Sequence, residues 1–307
     1  MTNPRKPQAI INVKPGAAGF IGCSALASVL GLSEYNTPLH TYNAFMGNPE
    51  PVTEEQQAIF DRGHRMEDFI AKEIEAERGY KLRRVNGAYV HPKYSWWICH
   101  PDRLMVGKVE GKRIGVEIKS SSFYMNNRWG DEDTNDIPID YFFQCLGYMA
   151  CGVCDEVHLF RWSNLKLTRY IIQWDELRVE TMEKGIAAEV TEWLKGNKPQ
   201  PITLSEAYEK WSNPEGEFVA DQKAMGLINF YDKLKKQEKE TKEQIDQAKL
   251  EIIKLMDGKS VIVSPEGKKL HSYVKQTRKT LDSKALKEQM ADIYEKFAKE
   301  TESYVFR

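Results

Sequence analysis

Two carboxylates and a lysine stand at a spacing that suits metal-assisted hydrolysis: Pro101-Asp102, fourteen intervening residues, then Glu117-Ile118-Lys119. Strand periodicity puts Gly115, Glu117 and Lys119 on one face and Ile114, Val116 and Ile118 on the other. The stretch Lys108-Val109-Glu110-Gly111-Lys112, with glycine at its tip, reads as a hairpin turn. That turn returns the chain so that Asp102, on the partner strand, lies alongside Glu117. Cleaving a phosphodiester needs charge stabilised at phosphorus and a hydroxide supplied. Magnesium does both, and it takes a few hard carboxylate oxygens with the rest from carbonyls, water and substrate. Asp102 and Glu117 supply carboxylates, the Ile118 carbonyl is a third protein ligand, and Lys119 orients the attacking water or helps remove its proton. Glu-x-Lys alone equally describes a solvated ion pair on an exposed sheet; the Pro-Asp strand and tight hairpin before it favour the metal site.

Two helices must bring further groups. Thr53, followed by Glu54 and Glu55, opens a helix that runs to Gly79. Its apolar stripe is Phe60, Gly63, Glu67, Ile70 and Ile74, so Glu67 interrupts a core face where a carboxylate needs a metal or a cationic partner such as Arg65 or Lys119. Gly63, one turn earlier, is expected to let another element approach closely. In the apolar helix Ile139 to Cys151, Gln144 and Tyr148 share a face. A buried Gln144 amide finds its partners either at the site or on core backbone, and the segment by itself does not choose.

The remaining elements frame these. A short helix is expected from Ser24 to Gly31, strands over Val85 to Val90, Ser95 to Val106 and Arg113 to Ser120, a hairpin around Ser163-Asn164, and a helix from Trp174-Asp175-Glu176 to Gly196. From Phe218 the pattern changes. Leu227, Tyr231, Leu234, Glu238, Thr241, Ile245, Ala248, Ile252 and Leu255 form a heptad seam with a polar middle. A hairpin around Pro265-Glu266-Gly267 and a terminal helix from Asp282 follow. The expected domains are therefore 1–212 and 213–307.

Composition sets outer limits. The 307 residues are 41% apolar and 29% charged, with net charge -1, which excludes a generally basic nucleic-acid coat but not a local basic channel. No run approaches the ~18 apolar residues of a membrane span, and Met1 to Lys6 has no apolar core behind its charges, so a cytosolic location is expected. Five cysteines are not a disulfide framework. Cys151 and Cys154 have metal-ligand spacing, but no second pair follows, and they read as small hydrophobes of a helix end.

Taken together, Ile21-Gly22-Cys23-Ser24-Ala25-Leu26 with Gly31-Leu32-Ser33, Gly63-His64-Arg65-Met66-Glu67, Pro101-Asp102-Arg103, Glu117-Ile118-Lys119 and Gln144-Cys145-Leu146-Gly147-Tyr148 resemble the lambda-exonuclease / YqaJ-like phage recombinases of the D…E-x-K nuclease superfamily. The resemblance covers the first two thirds of the chain. It implies an α/β, restriction-endonuclease-like core, a mixed central sheet flanked by helices, here with a C-terminal helical extension. It implies a 5′-to-3′ exonuclease on linear double-stranded DNA that leaves 3′ overhangs for a single-strand annealing protein, in a bacterial cell, encoded by a phage or prophage. Two magnesium ions, replaceable by manganese, would be held by Asp102, Glu117 and the Ile118 carbonyl. Lys119 would serve the nucleophile, Glu67 would assist the metal site, and Gln144 and Tyr148 would stand behind it. Ser24 would meet a DNA 5′-phosphate. Some relatives carry an arginine seven residues earlier, where this chain has Ala17; Lys14 is the candidate replacement. Relatives form toroids, and a closed homo-oligomeric ring also answers how a chain of net charge -1 stays on DNA, since phosphate contacts alone weaken steeply with salt. The ending Ser303-Tyr304-Val305-Phe306-Arg307 is also like the tails of such proteins. Other readings are a structure- or sequence-specific endonuclease using the same residues, an iron–sulfur nuclease needing four cysteines, and a non-catalytic DNA-binding adaptor.

Overall fold

The structure is a computed structural model, and it describes residues 3–121, 127–213 and 215–299; the terminal Ser303 to Arg307 lies outside them. The chain divides into two compact units, Met1–Lys210 and Trp211–Arg307.

In the first unit the elements are β1 (Ile10–Ile11), β2 (Ile21–Gly22), a 3-10 turn (Cys23–Ala25), α1 (Leu26–Val29), α2 (Pro38–Phe45), α3 (Glu54–Arg78), β3 (Leu82–Arg84), β4 (Ala88–Val90), β5 (Trp97–Cys99), β6 (Arg103–Met105), β7 (Ile114–Ser120), α4 (Ile139–Ala150), β8 (Glu156–Ser163), β9 (Lys166–Gln173), α5 (Glu176–Leu194) and α6 (Leu204–Lys210). Five strands make a mixed sheet ordered β3-β6-β7-β8-β9, and four make a smaller one ordered β1-β4-β5-β2. Only β7 and β8 run parallel in the larger sheet, and the chain passes between them by way of α4, as a parallel pair requires. This is the expected mixed sheet flanked by helices.

β7 is central and covered on both faces. Ile114, Val116 and Ile118 pack with Phe160 against Ile70 and Ile74 of α3. The opposite face, with Val157 and Leu159, meets the larger core that includes Leu146, Met149 and Ile186 of α4 and α5. The alternation read from sequence is therefore present, but neither side of β7 is a solvated surface.

Three expectations need correction. The strand expected over Ser95 to Val106 is two short strands in different sheets, because Pro101 between them has no N–H for a ladder. Asp102 thus sits in the bend just before β6. The helix expected from Ser24 is a 3-10 turn followed by one α turn, ending at Gly31 with φ 68°. In α3, only Ile70, Ala71 and Ile74 are buried. Phe60 is 52% exposed, and a Cβ added at Gly63 would meet nothing within 4 Å, so no element approaches there. The helix is longer than the sheet beneath it, and its first turns overhang.

The second unit holds α7 (Gln222–Met256), β10 (Val261–Val263), β11 (Lys269–Ser272), α8 (Ser283–Gln289) and α9 (Ala291–Phe297). Asp221 caps α7 by accepting the Ala224 N–H at 2.7 Å. Solvent-exposed ion pairs one turn apart, Lys235–Glu238, Lys249–Asp246 and Lys254–Glu251, run along this helix. The seam residues Leu227, Tyr231, Leu234, Ile245 and Leu255 are exposed.

Candidate active site

Strand β6 is shorter than β7, and that inequality makes the site. The register pairs Arg103 with Val116 and Leu104 with Gly115, so continuing it would set Asp102 opposite Glu117 and Pro101 opposite Ile118. Pairing stops there instead. The Asp102 side chain takes over and accepts the Ile118 N–H at 2.8 Å through Oδ2. Because the N–H and C=O of one strand residue point to the same side, the Ile118 carbonyl also faces the gap. Pro101 has no N–H to satisfy it.

Beneath the gap, Glu117 is 1% exposed and fully engaged. Lys119 Nζ lies 2.6 Å from its Oε1, Gln144 Nε2 donates to the same oxygen at 2.7 Å, and the Tyr148 hydroxyl donates to Oε2 at 2.6 Å. Gln144 also donates to the Tyr148 oxygen at 2.7 Å. These partners come from one face of α4, so the open choice for Gln144 resolves to the site. Lys119 lies 4.9 Å from the centre of the Tyr141 ring.

Glu67, Asp102, Ile118 and Lys119 line one cleft of ≈ 500 Å³ together with Phe60, Gly63 and Tyr141. Glu67 does not pair with Arg65 or Lys119. Its partner is the buried Arg103, whose guanidinium also reaches Asp68 at 2.6 Å. Sequence reasoning gave Arg103 no role of its own; the signal was a charge in a strand at a core-facing position.

Electrostatics separate the groups. Burial, and then the charge of Glu117, push the Asp102 carboxyl well above the usual carboxylate range, with Lys119 acting in the opposite sense. Burial alone would lower the Lys119 ammonium, but the charges of Glu117 and Asp102 outweigh it and raise it above the ordinary lysine value. With no metal bound, Lys119 is therefore held as a cation beside Glu117, able to donate to a water. Burial and the Glu117 charge also raise the Tyr148 hydroxyl, keeping it a donor.

The donor set suits a hard divalent cation. Asp102 is buried near the charge of Glu117 and resists ionising, a backbone carbonyl faces the gap without a ladder partner, and the ligand candidates are all oxygens.

Ser24 lines a neighbouring pocket of ≈ 240 Å³ with Asn36, His40 and His100, and Gln144 and Tyr148 line it too. The α4 pair thus touches both the metal-ligand candidate Glu117 and the Ser24 pocket. Lys14 is exposed and does not line it; Pro15 and Gly16 do. Ser24 lies inside the 3-10 turn and caps no helix. The Cys151 and Cys154 pair does not act together: Cys154 sits against Gly115, whereas Cys151 meets Cys23 and Cys99.

Among curated proteins, the uncharacterized protein YqaJ of Bacillus subtilis (strain 168) is 28% identical over 293 residues, covering 92% of this chain and 88% of that protein. Among solved structures, the alkaline exonuclease LHK-Exo of Laribacter hongkongensis is similar with TM-score 0.46 and 16% identity, covering 63% of this chain and 93% of that one. A structure of LHK-Exo in complex with dAMP is similar with TM-score 0.47 and 15% identity, covering 63% and 94%. A family profile, the YqaJ-like viral recombinase domain, matches residues 15–155. That matched span holds Ser24, Glu67, Asp102, Glu117, Lys119, Gln144 and Tyr148, so over it the chain is similar to the YqaJ-like viral recombinase domain.

Proposed function

We propose that this chain is a magnesium-dependent deoxyribonuclease that resects linear double-stranded DNA from 5′ to 3′ and leaves 3′ overhangs for a single-strand annealing protein in phage-type recombination. The observation that carries the reading is the joined set of Asp102, Glu117 and Lys119 at the open edge of β7, with Glu67 across the same cleft. The match to the YqaJ-like viral recombinase domain favours the exonuclease over the endonuclease reading.

Asp102, Glu117 and the Ile118 carbonyl would hold the metal, and Glu67 would assist a second ion from α3. A bound divalent cation supplies charge neutralisation at the phosphate and a water of lowered pKa. Lys119 holds the attacking water in line by donating to it. Gln144 and Tyr148 fix the Glu117 carboxylate in one orientation, and Arg103 holds Glu67 facing the cleft. Ser24 would receive the 5′-phosphate, and Lys14 would lend charge from beside its pocket.

We further propose that identical subunits close into a ring around the duplex, and that the protein works in the bacterial cytoplasm. No helix among the described residues is long and apolar enough to cross a membrane. Light scattering on a sizing column tests the ring; a stable monomer that degrades long DNA in one binding event overturns it.

The deciding experiment digests linear duplex labelled at either end, beside closed circular DNA, in magnesium, manganese, calcium or chelator. The expected outcome is 5′-label release in magnesium and manganese alone, with circles left intact. Nicked circles establish the endonuclease reading, and activity in chelator removes the metal.

A further inference from the structure

Three of the five cysteines converge from separate elements. Cys23 opens the 3-10 turn, Cys99 ends β5, and Cys151 caps the C-terminus of α4. All three are buried, and their Sγ atoms lie within 4.8 Å of one another. α4 comes this close because Gly147 has no side chain: a Cβ there would stand 2.7 Å from Cys23 Sγ. Cys151 follows one turn later.

Two further observations point past ordinary core packing. The indole N–H of Trp97, itself fully buried, donates to Cys23 Sγ at 3.5 Å. A neutral thiol is a weak acceptor for a buried N–H, whereas a sulfur carrying negative charge is a strong one. Nearby, His91 is committed elsewhere: Nε2 meets Glu183 at 2.6 Å, and Nδ1 accepts the Lys93 N–H at 3.1 Å. The converging group is therefore all sulfur, and among the described residues it numbers three.

We infer that Cys23, Cys99 and Cys151 form a closed, three-thiolate site for a thiophilic d10 cation, zinc(II) or copper(I). With no carboxylate in the set, magnesium, calcium and manganese are excluded by ligand softness. Iron–sulfur clusters are disfavoured because they want four cysteines. Copper(I) is satisfied by three thiolates. Zinc(II) would leave less net negative charge in the core, and binding would displace the proton that the Cys23 thiol otherwise donates to the Ile98 carbonyl at 3.5 Å. Each thiol that binds gives its proton to solvent, so affinity falls as pH falls. The bound ion would tie together the turn bearing Ser24, the strand leading to Asp102 and the helix bearing Gln144 and Tyr148. It is distinct from the magnesium site and does not depend on it.

The test uses full-length protein, reduced and anaerobic, titrated separately with zinc(II) and copper(I) against a chromophoric chelator of each. The expected result is one ion per chain for at least one of the two, retained on desalting, with a rise in Tm of several degrees. Cys99→Ser and Cys151→Ser should lose that ion, and Cys154→Ser, a buried thiol outside the group, should keep it. Cobalt(II) added to the wild type reads the same site without mutation, through a thiolate charge-transfer band. Wild type that yields both ions to the chelator and shows no cobalt–thiolate band overturns the site, as does a folded Cys99→Ser that binds as tightly as the wild type.

Discussion

Gln144 and Lys119 approach the same oxygen of Glu117, Gln144 from α4 at 2.7 Å and Lys119 from its own strand at 2.6 Å. A neutral donor and a cation thus share one buried acceptor. The amide can keep Glu117 in place if the ammonium turns toward substrate.

Gln144 should accordingly matter as a positioning residue. Gln144→Leu is expected to slow DNA cleavage by ~10–100-fold, the usual effect of losing a group that orients a metal ligand. Tyr148→Phe should act in the same direction, since it removes the donor to the other oxygen. Initial rates at saturating magnesium, on variants with unchanged melting behaviour, check this; rates within twofold of wild type would sink it.

Glu117→Ala and Lys119→Ala should each cost ~10² or more in rate, but for separable reasons. Manganese binding followed by electron paramagnetic resonance should be lost in Glu117→Ala and kept in Lys119→Ala. Equal manganese affinity in both variants would remove Glu117 from the ligand set.

Asp102 makes a prediction about stability. Its carboxyl is raised in the folded chain by burial and by Glu117, so the folded state binds this proton more tightly than the unfolded one. The protonated form's contribution is fully present below the ordinary carboxylate pKa and is lost as pH rises through the raised value. Metal-free Asp102→Asn should therefore melt a few degrees above metal-free wild type at mildly alkaline pH, with the difference vanishing in acid. Magnesium should raise the Tm of the wild type and not of the variant. A variant less stable than wild type in chelator at alkaline pH contradicts the account.

Ser24 bears on end recognition. The wild type should prefer 5′-phosphorylated over 5′-hydroxyl duplex ends, and Ser24→Ala should narrow that preference while leaving metal binding unchanged. The motive is its shared pocket with Gln144 and Tyr148. Equal wild-type rates on both ends would refute the phosphate role.

Local pattern made much of this legible in advance. The alternation of Ile114 to Lys119, the Thr53 cap and Gly79 stop of α3, and the shared face of Gln144 and Tyr148 all follow from periods and caps that one segment carries by itself. What stayed hidden was non-local. Arg103 as the partner of Glu67 depends on which face of β6 meets α3. The Cys23, Cys99 and Cys151 group depends on a helix, a strand and a turn far apart in sequence, and the nearby Cys151 and Cys154 spacing pointed elsewhere. The apolar stripe of α3 extends in sequence beyond its buried part, Ile70 to Ile74, because amphipathic spacing does not tell where the partner sheet ends.

Pro101 has a consequence that reaches beyond local geometry. An ordinary residue at that place could hand a hydrogen to the Ile118 carbonyl and let the ladder zip onward past Glu117, closing the gap with backbone. The imino acid forbids this by lacking one atom. An unpaired backbone carbonyl beside Asp102 is thereby written into the chain as a missing donor, with no charged group needed to prop the gap open.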